Sequence, residues 1–480
     1  MVDITIVGLG PGRLEQLTLE AWQVLQEASV VYLRTSHHPM VDDLDGMTLR
    51  SFDELYESLD SFSDVYEAIV QRVIELAQQP GGIVYGVPGH PLVGESTVAL
   101  LVERAEEKGL SLRIVDGVSF IEPILTALEL DPFDGLQISD ATLLAQRHHP
   151  NLDPDVGALI VQVYNRQVAG DLKMTLMSQY PDEHPLRVVI RAGMADQIVR
   201  DIKLFELDRQ QDLDHLTSIY APPLARLGSI STYQDVMARL RAPDGCPWDR
   251  EQTHLSLRGS LLEETYEVLE ALDAEDTDGL KEELGDLLLQ ILFHAQIAVE
   301  DGDFHLADTI AHSVEKLMRR HPHVFADEQI NDADGVLRSW EEIKRAERGE
   351  ETFVSMLSGL NKALPALAQA REMQSRVARV GFDWPNVEPV LTKVKEEIDE
   401  FVSSGGQQAQ THELGDMLFS LVNVARWYEI DPESALREAN ARFAQRFAFI
   451  ETQAASMSRS LEEMTLEEMD RLWDEAKAVG

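Results

Sequence analysis

The sequence predicts a multidomain protein with an α/β domain at the N-terminus and an all-α region after it. In the first half, short runs rich in Ile and Val alternate with amphipathic runs of helical period, and Gly and Pro separate them. From residue 230 onward, apolar residues recur with the period of an α-helix, Ala, Leu and Glu are abundant, and β-branched clusters are few. A length of 480 residues suggests about three domains.

The α/β region begins with a buried strand at residues 3–8. Helical runs and strands then alternate as far as LSLRIVDG (110–117), and Gly109 ends one of the helices. This alternation predicts a largely parallel sheet. A second half, from LIVQVY (159–164) on, returns to short strands with helices between them. The segment PPLARLGS (222–229) is the predicted linker to the helical region, because its prolines end the preceding strand.

The composition restricts the classes of molecule that the protein can bind and the compartment in which it is expected. The formal net charge is −44, from 85 acidic and 41 basic residues. Such a surface repels phosphate backbones and anionic lipids, which argues against nucleic acid and membranes as partners. Cys246 is the single cysteine, so an intrachain disulfide is excluded and a reducing compartment is expected. The N-terminus lacks a signal-peptide pattern and no apolar run is long enough to span a membrane, so we expect a cytoplasmic protein.

Two acidic signatures in the helical region predict a metal site. The first is EExxE, with Glu263, Glu264 and Glu267, and the second is ExxD, with Glu283 and Asp286. Residues three or four apart share one face of a helix, and both signatures lie in apolar runs, so we expect their helices to be largely buried. Carboxylates that converge near a core repel one another, and Mg²⁺, which prefers oxygen ligands, removes that repulsion. A solvated acidic helix face is the alternative, and it suffices for EExxE alone.

The same arrangement recurs later in the chain. The second EExxE and ExxD consist of Glu396, Glu397, Glu400, Glu413 and Asp416. Such a repeat indicates a duplicated unit. The predicted division is an N-terminal domain at 1–222, a linker at 223–229, and all-α modules at 230–345 and 346–480.

Further motifs of the helical region carry a resemblance to a known family. They are CPWDREQTH (246–254), RRHPHVF (319–325), WEEIK (340–344), RVGFDW (379–384), ANARFAQRF (439–447) and LEEMDRLW (466–473). With the two acidic pairs, they resemble MazG, a nucleoside triphosphate pyrophosphohydrolase with two all-α modules. The resemblance implies Mg²⁺-dependent hydrolysis of a nucleoside triphosphate to a monophosphate and diphosphate, by a homodimer. The sequence has no P-loop motif, which excludes a P-loop γ-phosphatase.

The resemblance also suggests residue roles. The carboxylates of both pairs become metal ligands, and a glutamate outside the ligand set orients the attacking water; the catalytic candidates are Glu264, Glu267, Glu397 and Glu400. The second module, which the family associates with turnover, has candidate substrate contacts at Lys393, Arg442, Arg446 and Trp473. Arg442 replaces a lysine of the family pattern, and on spacing alone Arg442 and Arg446 are equally a surface pair that balances nearby acids. In the first module, the nearest basic cluster is Arg319, Arg320 and His321.

Stretches of the first half carry a second resemblance. They are GLGPG (8–12), HHP (37–39), VYGVPGHPLVGEST (84–97), DGVSFIEPIL (116–125) and LELDP (128–132). They resemble the tetrapyrrole methylases, which implies two α/β halves with S-adenosylmethionine bound between them. The implied cofactor contacts are Gly8, Gly10, Pro11, Gly12, Pro88, Gly89, His90 and Ser119. Arg13 replaces an aspartate of the family and also breaks the dinucleotide-binding fingerprint, and His90 replaces the aspartate of Gly-Asp-Pro, so the methylated substrate is left open.

Three functions compete at this point. The leading one is a Mg²⁺-dependent nucleoside triphosphate pyrophosphohydrolase that cleans nucleotide pools, with a methylase-like N-terminal domain. The second is an S-adenosylmethionine-dependent methyltransferase with an accessory helical domain. The third is a non-catalytic acidic helical scaffold. The duplicated signatures favour the first over the third, since a scaffold has no need of ten positioned carboxylates.

Overall fold

A computed structural model describes residues 2–59, 61–326, 328–330, 332, 335–336, 339–340, 343, 347, 357–358 and 360–479. The chain divides into two compact units, Met1–Val236 and Met237–Gly480. The border predicted between the two helical modules, at residues 345 and 346, lies outside the described residues, as does most of the motif WEEIK.

The described part of the first unit forms two five-stranded sheets. The strands are β1 (Ile4–Gly8), β2 (Val31–Leu33), β3 (Leu49–Ser51), β4 (Ile83–Val87), β5 (Leu112–Val115), β6 (Leu136–Asp140), β7 (Gly157–Val161), β8 (Pro185–Ile190), β9 (Ile198–Lys203) and β10 (Thr217–Ala221). The first sheet has the order β3-β2-β4-β1-β5 and is parallel throughout, as the alternation of strands and helices predicts. The second has the order β6-β7-β10-β8-β9, and only its β6–β7 pairing is parallel. The sequence analysis did not predict this antiparallel pairing.

Helices cover the sheets of the first unit. They are α1 (Leu19–Glu27), α2 (Asp53–Ser58), α3 (Phe62–Ala77), α4 (Ser96–Lys108), α5 (Ile121–Leu128), α6 (Ala141–Leu144) and α7 (Arg166–Leu176). Ile4 and Ile6 of β1 are fully buried, as is Tyr85 of the central strand β4. Gly109 ends α4 with a φ of 65°, the left-handed conformation that its sequence position predicts.

The segment predicted as a linker contains no helix or strand, but several contacts attach it to the first unit. The Leu224 N–H donates to the Pro154 carbonyl at 2.8 Å, and its side chain packs against the core around the second sheet. The Asp155 carboxylate accepts from the N–H groups of Gly228 at 2.8 Å and Ser229 at 3.1 Å. The segment therefore leads in an ordered conformation into α8 (Ile230–Arg241).

In the described residues of the second unit, helices are the only regular secondary structure. After α8 its helices are α9 (Pro247–Glu251), α10 (Arg258–Asp273), α11 (Thr277–Asp301), α12 (Leu306–Arg320), α13 (Pro322–Phe325), α14 (Ala366–Ala378), α15 (Val387–Ser403), α16 (Gln407–Trp427), α17 (Pro432–Ser456) and α18 (Leu466–Val479). Residues 404–406 alone join α15 to α16, which begins at Gln407. Gly405 and Gly406 break the helix, whereas the Gln and Ala residues that follow are good helix formers.

Two helical pairs carry the acidic signatures. Helix α10 packs against α11, and α15 packs against α16, each pair joined by three residues. These helices are less buried than the sequence analysis expected: Ile398 is 43%, Phe419 44% and Val402 76% exposed. A pair of helices covers only one face of each partner, so the remaining apolar residues stay on the surface of the single chain. Across the described residues, no helix combines the length and apolar character needed to cross a membrane.

Candidate active site

Three carboxylates of the second helical pair lie together. Glu397 belongs to α15, and Glu413 and Asp416, which share one face because they are three residues apart, belong to α16. One oxygen from each lies within 4.8 Å of the other two. Glu397 is only 4% exposed, and a carboxylate at such a depth needs a cation to balance its charge.

Lys393 supplies one such cation. Its Nζ lies 2.8 Å from an oxygen of Glu397, one helical turn later, and 3.0 Å from Glu396. These contacts, with Glu397 first and Glu396 second, raise the pKa of Lys393, so the lysine stays protonated. Glu396 and Glu400 lie outside the group of three, and both side chains are exposed on α15.

The first helical pair forms a similar group without a lysine. Glu264 and Glu267 of α10 and Glu283 of α11 have oxygens within 4.8 Å of one another. Burial raises the pKa of Glu264, and the negative charges of Asp286 and Glu267 raise it further. Serine stands at position 260, three residues before Glu263 and equivalent to Lys393. Position 260 therefore supplies no positive charge to offset the mutual repulsion of the three carboxylates.

Two predicted ligands of the first pair lie outside its group of three. Asp286 is close enough to raise the pKa of both Glu264 and Glu283, although burial is the larger cause for each. Glu263 is exposed. Both groups offer carboxylate oxygens alone, the donors that Mg²⁺ prefers, so the residues fit such an ion.

The predicted substrate contacts of α17 and α18 already have neighbours within the chain. Arg442 forms an ion pair with Glu438 at 3.0 Å, one turn earlier on the same helix. The Arg446 guanidinium lies over the Trp473 ring, 5.7 Å from its centroid, and Phe443 packs against that ring at a centroid distance of 5.0 Å. The Arg442–Glu438 pair agrees with the alternative of a surface charge pair, whereas the contact of Arg446 is with the Trp473 ring.

The basic residues noted in the first module also have partners within the chain. Arg319 and Arg320 both bind Glu347, at 2.7 Å and 2.5 Å. Hydrogen bonds from Arg320 and Arg319 lower the pKa of Glu347 to about 2. The His321 ring makes a hydrogen bond with the Leu317 carbonyl at 2.7 Å. These side chains are thus engaged with groups of the chain itself.

The glycine-rich loops of the first unit meet at the carboxyl ends of its parallel strands. Gly10 and Gly89 form a two-way backbone bridge, with N–H to carbonyl distances of 2.9 Å and 3.2 Å. A Cβ on Gly8 would lie 2.7 Å from the Gly117 nitrogen, and one on Gly117 would lie 2.4 Å from the Gly89 carbonyl oxygen. Gly89 differs from them: its φ is +67°, and a Cβ there would face open space. The loops thus pack tightly against one another but leave room beside Gly89.

The other predicted cofactor contacts surround these loops. Pro11 and Gly12 continue the β1 loop, and Pro88 precedes Gly89. The His90 Nε2 lies 3.5 Å from Asp116, which follows β5. Ser119 is buried, and its hydroxyl accepts from the Ile121 N–H at 3.0 Å and donates to Glu122 at 2.5 Å, so it supports the start of α5.

One buried ion pair near these loops was missed from the sequence. Arg34, after β2, binds Glu95, before α4, at 2.5 Å, and the Glu95 side chain is 2% exposed. The Arg34 guanidinium also lies 5.8 Å from the centroid of Tyr66. Glu95 belongs to the stretch 84–97, whereas Arg34 lies far from it in the chain, and the parallel pairing of β2 with β4 brings the two residues together.

Comparisons with known proteins agree with this architecture. The family described as Tetrapyrrole (Corrin/Porphyrin) Methylases matches residues 3–208, and the MazG nucleotide pyrophosphohydrolase domain matches residues 252–325. An uncharacterized protein of Bacillus subtilis, YabN, is 43% identical over 99% of this chain and 98% of its own length. The MazG nucleoside triphosphate pyrophosphohydrolase of Thermotoga maritima is 45% identical over 50% of this chain and 93% of its own. The chain belongs to the MazG family, with a tetrapyrrole methylase domain ahead of it.

Relatives from other organisms cover the MazG half in the same way. The Escherichia coli K12 nucleoside triphosphate pyrophosphohydrolase is 44% identical over 52% of this chain and 98% of its own length. For the methylase half, the structure of a uroporphyrin-III-C-methyltransferase from Thermus thermophilus covers 46% of this chain at 26% identity, with a TM-score of 0.37. The two family models and the relatives in Bacillus subtilis and Thermotoga maritima confirm the two resemblances found in the sequence, and the MazG half contains both carboxylate groups.

Proposed function

We propose that the MazG half hydrolyses nucleoside triphosphates to monophosphates and diphosphate, with Mg²⁺ held by Glu397, Glu413 and Asp416. The observation that carries this proposal is the convergence of three carboxylates, one of them buried, on two packed helices. The related pyrophosphohydrolases of Thermotoga maritima and Escherichia coli, similar over nearly their whole length, support the reaction class. We propose that the first group, Glu264 with its neighbours, also binds Mg²⁺.

The chemistry divides between the ion and the side chains. Bound Mg²⁺ supplies polarised phosphate oxygens and a water of lowered pKa. The three carboxylates would hold the ion. Lys393 offers a protonated ammonium at the edge of the group, and this positive charge would face the negative charge of a triphosphate. Glu396 and Glu400, outside the group of three on the same helix, are the candidates for orienting the attacking water. No covalent intermediate is required.

The test of this proposal is the identity of the products. The protein is incubated with Mg²⁺ and each nucleoside triphosphate in turn, and the products are separated by ion-exchange chromatography. We expect equal amounts of monophosphate and diphosphate, and no turnover when a chelator removes the metal. Release of nucleoside diphosphate and phosphate, or no turnover of any nucleoside triphosphate, would contradict the proposal.

We further propose that the MazG half forms a homodimer through the exposed apolar residues of α15 and α16. Val402, Ile398 and Phe419 are exposed in the single chain, and exposed apolar side chains grouped on a surface commonly mark a protein interface. Light scattering behind a sizing column is expected to give about twice the chain mass of 53.8 kDa. Val402→Glu, which places a charge in that surface, is expected to shift the mass toward one chain; a single-chain mass for the unaltered protein would exclude the dimer.

A second candidate function concerns the methylase half. We propose that it binds S-adenosylmethionine, as the tetrapyrrole methylase match implies. The observation that favours this is the open space beside Gly89, next to loops whose glycines leave no room for other side chains. We also propose a cytoplasmic location, as expected from the sequence.

A further inference from the structure

Two histidines meet at one end of the first helical pair. His254 ends the motif CPWDREQTH ahead of α10, and His294 lies on α11, the helix that also carries Glu283. Their Nδ1 atoms are 2.8 Å apart, and the planes of the two rings differ by only 9°. The three residues that join α10 to α11 lie at the opposite end of the pair. The histidine contact therefore closes the end of the pair that the chain leaves open.

A buried amide oxygen lies near this contact along α11. Gln290 precedes His294 by four residues, so the two side chains share one face of the helix. Gln290 is 5% exposed, and its Oε1 has no hydrogen-bond donor among the described residues. A buried acceptor without a partner carries a desolvation cost that a bound ion or water removes. Four residues is also the spacing at which two side chains of one helix bind a single metal ion.

The three candidate ligands determine the class of ion. Two imidazole nitrogens and an amide oxygen suit a divalent transition metal such as Zn²⁺ or Co²⁺, whereas Mg²⁺ prefers carboxylates and water. Zn²⁺ binds imidazole nitrogen at about 2.0–2.1 Å, which in a tetrahedral site separates two such nitrogens by about 3.3–3.4 Å, so the two Nδ1 atoms have to move apart by about half an ångström. His254 lies in the turn between α9 and α10, where no helical hydrogen-bond ladder opposes such a shift.

The neighbouring charges also favour a cation. Imidazole and amide ligands are neutral, so a divalent ion bound by them keeps its full charge. Asp286 lies one further turn before Gln290 on α11 and is close to Glu264 and Glu283. No lysine stands at position 260 to offset these carboxylates. Their negative charge attracts an ion bound one to two turns away along the same helix.

We propose that His254, His294 and Gln290 form a binding site for Zn²⁺, which holds the segment ahead of α10 against α11. The site is separate from the carboxylate group that we assign to Mg²⁺, since the two share no residue. It requires no turnover by either module. The bound metal closes the first helical pair, and we expect it to stabilise the second unit rather than to take part in hydrolysis.

The test is metal binding by the full chain while Mg²⁺ is supplied to the carboxylate groups. Protein freed of transition metals by a chelator is titrated with Co²⁺ in a large excess of Mg²⁺, visible absorption follows binding, and Zn²⁺ is then added to displace Co²⁺. X-ray absorption spectroscopy of the Zn²⁺-loaded, unaltered protein identifies the ligand atoms without any variant. The variants are His254→Gln, His294→Gln and Gln290→Leu, with His312→Gln, an exposed histidine of α12, as the matched control.

We expect Co²⁺ to bind the unaltered chain, Zn²⁺ to displace it, and imidazole nitrogen to be among the ligands of Zn²⁺. Each histidine variant should weaken Co²⁺ binding at least about a hundredfold, since even groups that only support a ligand contribute tenfold to a hundredfold, and Gln290→Leu should weaken it about tenfold. His312→Gln should bind like the unaltered protein. Zn²⁺ should also raise the thermal transition of the second unit in the unaltered chain but not in His294→Gln.

Absence of Co²⁺ binding in excess Mg²⁺ would overturn the proposal and leave the two histidines as a hydrogen-bonded pair. The same conclusion follows if both histidine variants bind Co²⁺ like the unaltered chain, or if Zn²⁺ in the unaltered protein has only oxygen ligands. Co²⁺ binding that is lost in Glu264→Gln but kept in His294→Gln would place the ion in the carboxylate group instead.

Discussion

Glu397→Gln is expected to lower the rate of diphosphate release from nucleoside triphosphates by at least about a hundredfold, since even groups that only support a metal ligand commonly contribute tenfold to a hundredfold. Glutamine keeps the size of the side chain but removes one of the three negative charges that Glu397, Glu413 and Asp416 offer a metal ion. It also deprives Lys393 of its nearer carboxylate. The measurement is kcat/KM at saturating Mg²⁺, followed by diphosphate release.

Two further variants are the controls for this experiment. Asp399→Asn changes an exposed carboxylate two residues along the same helix and is expected to retain the rate of the unaltered protein. Glu264→Gln alters the corresponding group of the first module and is expected to retain most of the rate, because that module lacks the lysine found at position 393. A large loss in Glu264→Gln with little change in Glu397→Gln would assign turnover to the first module instead.

Gly117→Ala is expected to destabilise the first unit by about 3 kcal/mol, the upper range for overpacking a well-packed site. The new Cβ would lie 2.4 Å from the Gly89 carbonyl oxygen and 2.8 Å from the Gly8 carbonyl carbon. Both obstacles are backbone atoms, so no side-chain rotation relieves the contact. Differential scanning calorimetry should show the transition of this unit about 10 °C lower, and binding of S-adenosylmethionine should be lost with it.

Gly89→Ala tests the backbone strain of the loop without the steric contacts that Gly117→Ala introduces. A Cβ at this position faces open space, so the cost is only that of a left-handed backbone, about 1 kcal/mol. If S-adenosylmethionine occupies that space, its affinity falls although the fold persists. Unaltered cofactor binding in Gly89→Ala, or a transition in Gly117→Ala that matches the unaltered protein, would show that this account of the loops is wrong.

The parts of the fold that follow from local pattern were predictable. The apolar run of β1 and the end of α4 at Gly109 depend on residues close in the chain, and the structure has both as expected. The second sheet was not predicted to be mainly antiparallel, because β10 pairs with both β7 and β8 across long stretches of chain. Strand composition alone carries little information about such pairings.

The same difference between local pattern and long-range contact determines which features of the candidate site could be predicted. Spacing predicted that the two EExxE signatures and their ExxD partners lie on neighbouring helices, and that juxtaposition is present. Spacing could not tell which of two adjacent glutamates faces the partner helix: Glu397 is buried against α16, whereas Glu396 is exposed beside it.

The hydrogen bonds of Asp155 and the packing of Leu224 determine where the chain can be divided. A truncation after residue 222, where sequence composition changes, would remove an apolar side chain from the core around the second sheet. It would also leave Asp155 without the two N–H groups and the Thr232 hydroxyl that bind it at 2.5–3.1 Å. Ending the N-terminal fragment at Val236 keeps all of these contacts. An N-terminal fragment prepared for binding experiments should therefore end inside α8 rather than ahead of it.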